Sequence, residues 1–117
     1  MAKTSSCSIG VTVSGDGETA TYVPPGSPVS NPAAPNGGSV AYALAAGVNS
    51  IAVPTGAIGV VISPPTSSTN AKTAPAATGQ VGVATRANAP SVTFFDAAVT
   101  TFDITSAGIE VVNLHWL

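Results

Sequence analysis

The sequence predicts an all-β antiparallel sandwich or barrel, preceded by an N-terminal arm rich in Pro and Gly. Three observations lead there. Gly, Pro, Thr, Ser, Val and Asn dominate the 117 residues, and no stretch of ten keeps an apolar stripe at helical spacing. From Ser39 onward, short apolar and β-branched runs recur at regular intervals with turn signals between them. Before them lies Pro24 to Gly38, PPGSPVSNPAAPNGG, whose five prolines remove backbone donors and whose glycines offer no side chain to pack. At this length the chain supports one compact domain plus appended chain, because two cores would each be too small to hold.

The elements follow in order. Cys7, Ile9, Val11 and Val13 alternate with Ser8, Gly10 and Thr12 as a first strand, and Gly15-Asp16-Gly17 turns the chain so that Thr19 to Val23 returns as a hairpin partner. Pro24 to Gly38 reads as a linker or extended arm, so residues 1–38 form the arm and residues 39–117 the sandwich. The sandwich strands are expected at Ser39–Leu44, with Val40, Tyr42 and Leu44 inward, then at Val48–Val53 and at Ile58–Ile62, ended by Pro64-Pro65. A short, weak strand follows around Ala71–Ala74, then Gln80–Thr85, Ser91–Phe95, Thr101–Thr105 and Ile109–Leu117. In the last of these, Ile109 and Val111 fall on one face and Val112, Leu114 and Trp116 on the other. Either a β-bulge near Val111 switches the faces, or both faces are covered and one of them meets a neighbour. Phe94 and Phe95, being adjacent, pose the same question.

Charge is the most informative property. Only Lys3, Lys72 and Arg86 stand against Asp16, Glu18, Asp96, Asp103 and Glu110, 7% charged in total with a net charge of −2, where soluble domains carry roughly 25%. Such a chain has little electrostatic protection against self-association. Its Ser, Thr, Asn, Gly and Ala surface suits an assembly better than a monomer solubilised by hydroxyls and amides alone. The candidate interface residues are Val11, Val13, Tyr22 and Val23 in the arm, and Phe95, Val112, Leu114 and Trp116 in the sandwich. Three scattered cations give no phosphate-binding stripe, so nucleic acid is not an expected partner. The run Ile51 to Ile62 is interrupted by Pro54, Thr55, Gly56 and Gly59 and falls short of the ~20 residues that cross a bilayer. No membrane span is expected, and MAKTSSCSIG has no apolar stretch of the kind a secretion signal needs, so the expected site of synthesis is a cytoplasm.

Little in the sequence points to bond chemistry. Cys7 is the only cysteine and His115 the only histidine, so neither an internal disulfide nor a zinc set can be assembled. His115 reads as a plain strand residue, because a general base needs a nucleophile and an orienting group. Asp96, Asp103 and Glu110 would have to converge to hold calcium or work as a glycosidase pair. With no calcium-loop pattern present, they read instead as solvated loop and edge carboxylates. Gly15-Asp16-Gly17 and Asn36-Gly37-Gly38 lack the lysine and helix of a phosphate loop and read as turns. Trp116, Tyr22 and Tyr42 could stack on sugar rings, but Tyr42 falls on an inward face and Trp116 ends an apolar strand, which favours core or interface packing. No catalytic residue, cofactor or metal ligand is assigned, and the chain is not expected to be an enzyme.

Three segments, GVNSIAVPTGAIGVVISPP at Gly47–Pro65, GQVGVAT at Gly79–Thr85 and FDITSAGIEVVNLHWL at Phe102–Leu117, taken together resemble the small jelly-roll structural proteins of tailed-bacteriophage virions. The shared features are a strand ending in VP-x-G-A, a following strand ending in Pro-Pro, and a last hairpin turning on S-A-G. Residues 1–38 lie outside the resemblance. It implies a jelly-roll-like sandwich in a virion assembled in a host bacterial cytoplasm, as a capsid decoration or cement subunit that packs between and over subunits of the major capsid protein or other virion proteins. Homo-oligomers, trimers first, are implied. The alternative is a receptor- or glycan-binding module of a head fibre or tail tip.

Overall fold

The computed structural model describes residues 3–15, 17–35, 39–73 and 82–117, and among these it contains strands and no helix, so the protein is all-β. The strands are β1 (Lys3–Cys7), β2 (Val11–Gly15), β3 (Glu18–Tyr22), β4 (Val29–Ala34), β5 (Ser39–Leu44), β6 (Gly47–Ala52), β7 (Gly59–Ser63), β8 (Lys72–Thr73), β9 (Ala84–Thr85), β10 (Ser91–Phe94), β11 (Thr101–Ser106) and β12 (Glu110–Trp116).

Strands β5 to β12 build two four-stranded sheets, ordered β10-β7-β12-β5 and β6-β11-β8-β9. Their pairing is nested: β5 with β12, β6 with β11, β7 with β10 and β8 with β9, all antiparallel. Further ladders join β7 to β12 and β8 to β11. Because side chains alternate along each strand, each sheet offers one apolar face to the other. Leu44, Val60, Ile62, Val112, Leu114 and Trp116 from the first sheet meet Ile51, Phe102 and Ile104 from the second. Full burial of each such side chain stabilises the fold by about 1.5–3 kcal/mol, and Val60 is wholly inaccessible. At one end of the core Phe95 stacks on Phe102 at 5.3 Å between ring centroids, and Trp116 lies 6.1 Å from Phe102 and 6.4 Å from Phe95. Leu117 closes that end, donating its N–H to the Gly59 carbonyl and accepting from the Ile58 N–H.

Several expectations are corrected. Cys7 to Val13 is not one strand: β1 ends at Cys7 and β2 starts at Val11, so the Val11–Tyr22 hairpin and β1 belong to different sheets. The Pro-rich segment is not wholly linker, since Val29–Ala34 is a strand paired with β1. The ladder survives its proline because the register slips by one residue opposite Lys3 to Ser5, placing Pro32, which lacks an N–H, in a bulge. Gln80–Thr85 shortens to Ala84–Thr85, with residues 80 and 81 outside the described residues, as are Asp16 and the Asn36-Gly37-Gly38 turn. No bulge interrupts β12, whose register against β5 runs evenly from Glu110 to His115.

Residues before β5 form two small two-stranded sheets, β1-β4 and β2-β3, and among the described residues no arm strand pairs with a sandwich strand. The radius of gyration, 15.4 Å, exceeds the ~13 Å of a compact domain of this length, in keeping with an arm that projects. A buried side chain ties it to the sandwich. Asn31, buried on β4, donates from Nδ2 to the Gly56 carbonyl at 2.9 Å and accepts the Ala33 N–H at its Oδ1 at 3.1 Å. Gly56 has φ +90°, and a Cβ there would stand 3.1 Å from the Ala33 carbonyl oxygen, so conformation and space both call for glycine.

Candidate interaction surfaces

The hairpin β2-β3 is exposed on both sides. Val11, Tyr22 and Val23 are 52%, 61% and 59% exposed; Thr12, Ser14, Ala20 and Thr21 are also exposed. The Val13 side chain lies outside the described part, although its backbone pairs with Ala20. An isolated two-stranded hairpin is marginal in water, so this one presents backbone and apolar side chains without a packed face of its own.

The other four candidate interface residues lie elsewhere. Val112, Leu114 and Trp116 are buried in the core between the sheets, and Phe95 packs against that core in the aromatic cluster. They are internal because β12 is a central strand whose even-numbered residues all face the opposite sheet. The side chains turned outward are the ones passed over: Val111, Ile109 and Phe94.

Those residues mark the outer face of sheet β10-β7-β12-β5. Across it run the rows Ser39, His115, Val61 and Val92, then Phe94 beside Gly59, then Ala41 with Asn113 and Ala43 with Val111. None of these is an Asp, Glu, Lys or Arg. A Cβ on Gly59 would come within 2.9 Å of the Phe94 ring and 2.7 Å of the Thr93 carbonyl, so the glycine leaves room for the ring edge. The outer face of the other sheet differs in kind, carrying Ser50, Thr101, Asp103 and Thr105 around Val48 and Ala52.

Two polar groups inside the sandwich escaped the sequence reading. Lys72 on β8 and Glu110 on β12 point inward from opposite sheets and form an ion pair at 2.5 Å with side chains 4% and 6% exposed. Lys72 Nζ also donates to Ser68 Oγ at 3.1 Å and to the Asn70 carbonyl at 2.8 Å. Burial pushes the Glu110 carboxyl up, but hydrogen bonds from Lys72, Ser68 and Asn70 and the Lys72 charge outweigh it and hold the carboxyl below its ordinary value. The second group is Asn49. Its Oδ1 accepts the Ala45 N–H at 2.8 Å, and its Nδ2 donates to the carbonyls of Ala45, Gly47 and Ile104 at 2.9, 3.1 and 3.1 Å. One buried amide thus fastens the β5–β6 turn to β11. Asn49→Ala strands those backbone groups and is expected to lower stability by about 2 kcal/mol or more, measurable as a fall in the urea midpoint with an unchanged m-value.

The remaining sequence candidates do not assemble. Asp96 is exposed and accepts the Ala98 N–H at 3.0 Å, as a turn residue does. Asp103 is buried in the middle of β11 and Glu110 is buried in its ion pair, so neither is the solvated carboxylate expected. Among the described residues no three of His, Cys, Asp and Glu come together as a metal site. His115 Nδ1 and Ser39 Oγ lie 3.1 Å apart because the two residues are directly opposed on β12 and β5. Tyr42 packs against the core. A shallow groove of about 250 Å³ runs beside β8, lined by Ala71, Thr73, Ala84 and Thr105 among others. None of the described helices is long and apolar enough to cross a membrane, there being no helix among those residues. No protein-family model matches this chain, and no curated protein and no solved structure matches it either.

Proposed function

We propose that this chain is a virion structural subunit, a decoration or cement protein of a tailed-bacteriophage head, whose sandwich is a jelly roll. The nested ladder supports the fold: with the sandwich strands numbered one to eight, each strand n pairs with strand 9−n, and the sheets read 6-3-8-1 and 2-7-4-5. That is how two Greek keys roll into a jelly roll. The observation that carries the function is the arm. A hairpin with both faces in solvent, and a second two-stranded sheet with open edges, are held to the sandwich at the Asn31–Gly56 contact. Laid over a capsid subunit, such an arm buries apolar area at roughly 25 cal/mol per Å² and offers its edges for strand addition. The mechanism is mechanical: junctions between capsid subunits are covered and no bond is made or broken. A glycan-binding role at a fibre or tail tip would need an aromatic platform, and of the aromatics with a surface only Tyr22 and Phe94 are well exposed.

The full chain, added to heads of its own phage and centrifuged through a density gradient, is expected to travel with the heads in a fixed ratio. Val11→Asp with Tyr22→Asp should lower that occupancy at least tenfold without moving the thermal midpoint. Equal occupancy of the double variant overturns the arm's role. Recovery of the wild type only at the top of the gradient overturns the whole reading.

A further inference from the structure

We propose that the outer face of sheet β10-β7-β12-β5 is a self-docking surface, on which the same face of a second copy packs about a two-fold axis. The inference deepens the assembly reading and rests on it.

A half-solvated antiparallel sheet normally alternates apolar residues inward with polar ones outward. The sheet β6-β11-β8-β9 keeps that habit, with the hydroxyls of Ser50, Thr101 and Thr105 exposed on its outer side. The sheet β10-β7-β12-β5 does not: Val92, Phe94, Val61 and Val111 face outward, and Ile109, 83% exposed, flanks them. Two sides of one sandwich therefore differ under the same constraints of folding, and the difference is not needed for the core.

The occupant follows from charge, shape and area. The face carries no Asp, Glu, Lys or Arg, so a partner surface bearing charges would lose their hydration and find no carboxylate, ammonium or guanidinium opposite, which costs several kcal/mol per ion. A second copy of the same face brings none. Ala41, Ala43 and Gly59 keep the relief of the face low between its larger side chains, which lets two sheets stack about 10 Å apart. Four strands about 4.8 Å apart and about five residues long at ~3.3 Å each give a footprint of about 300 Å². Two such footprints hide on the order of 600 Å² of accessible surface, the small end of the range, as in a weak, concentration-dependent dimer. Such an isologous contact closes with two copies, not the three that the family resemblance suggests. His115 and Asn113 supply the polar groups that fix register across the pair.

Sedimentation velocity over a concentration series tests this on the full chain. Wild type is expected to move from monomer to dimer, Val92→Glu and Val111→Lys to raise the dissociation constant at least tenfold, and Thr105→Glu on the other sheet to leave it unchanged. Val111 is more than half exposed, so its substitution leaves the core intact, and near-unchanged melting curves confirm that. A wild type that stays monomeric, or variants that dimerise as well as wild type, overturns the self-docking surface. If that same wild type still travels with heads in the gradient, the assembly reading stands without it.

Discussion

Replacing Lys72 by Met is expected to destabilise the protein by about 3–5 kcal/mol, since it leaves the Glu110 carboxylate buried with no counter-charge. That is a large share of the ~5–15 kcal/mol that holds a domain folded. The double variant Lys72→Met with Glu110→Leu should recover most of the loss, because apolar residues of similar volume often replace a buried ion pair at little cost. Urea unfolding at neutral pH measures both. If the single variant matches wild type, the pair is not buried as described. The pH dependence carries a definite sign. Glu110 is held below its ordinary 4.5, so its contribution is complete above the unfolded-state value and is lost as pH falls through the lower folded-state value. Wild type should therefore lose stability on acidification below about pH 4.5, and the double variant should lack that share of the loss.

Phe102→Ala is expected to cost about 3–5 kcal/mol. Phe102 is buried at the meeting point of the two sheets, and its removal opens a cavity and deletes both of its aromatic contacts, with Phe95 and with Trp116. Each such contact contributes about 0.5–1.5 kcal/mol beyond area alone. The neighbouring phenylalanines give a sharper comparison. Phe95→Ala should cost well over 1 kcal/mol, and Phe94→Ala no more than about 0.5 kcal/mol as a surface substitution. A reversed order in thermal or urea midpoints would mean that the strand presents its other face to the core.

The strands of the sandwich were legible because their alternation is driven by one buried face, which leaves a period-two signal in β5, β6, β7 and β12. The arm was misread for a local reason: Pro32 argues against a strand, and only the long-range ladder to β1 with its one-residue slip overrides it. Which of the candidate interface residues stay exposed was only partly legible. Val11, Tyr22 and Val23 stand in solvent, but Val112, Leu114 and Trp116 were placed outside because two apolar faces on one strand do not say which is the core. That choice is made by β12 sitting between β5 and β7 with the other sheet above its even-numbered side chains. Lys72, Glu110 and Asn49 were invisible for the same reason. The bonds that cross the fold, Lys72 to Glu110 and Asn49 to the Ile104 carbonyl, join residues distant in sequence, and a lone Lys or Glu beside a turn looks like any solvated charge.

The nested ladder has a consequence for how the protein is made. Ser39 and His115 are neighbours across a strand pair yet stand 76 positions apart, and the loop between them must close before the first sheet has its middle. High separation of this kind slows folding towards the millisecond-to-second range. Until β12 has left the ribosome, β5 and β7 lack the strand they share, and their edges stay open to any extended chain nearby. A nearly ion-free polypeptide has little to repel its own copies during that wait, so how fast it is synthesised relative to how fast it folds decides how much of it aggregates.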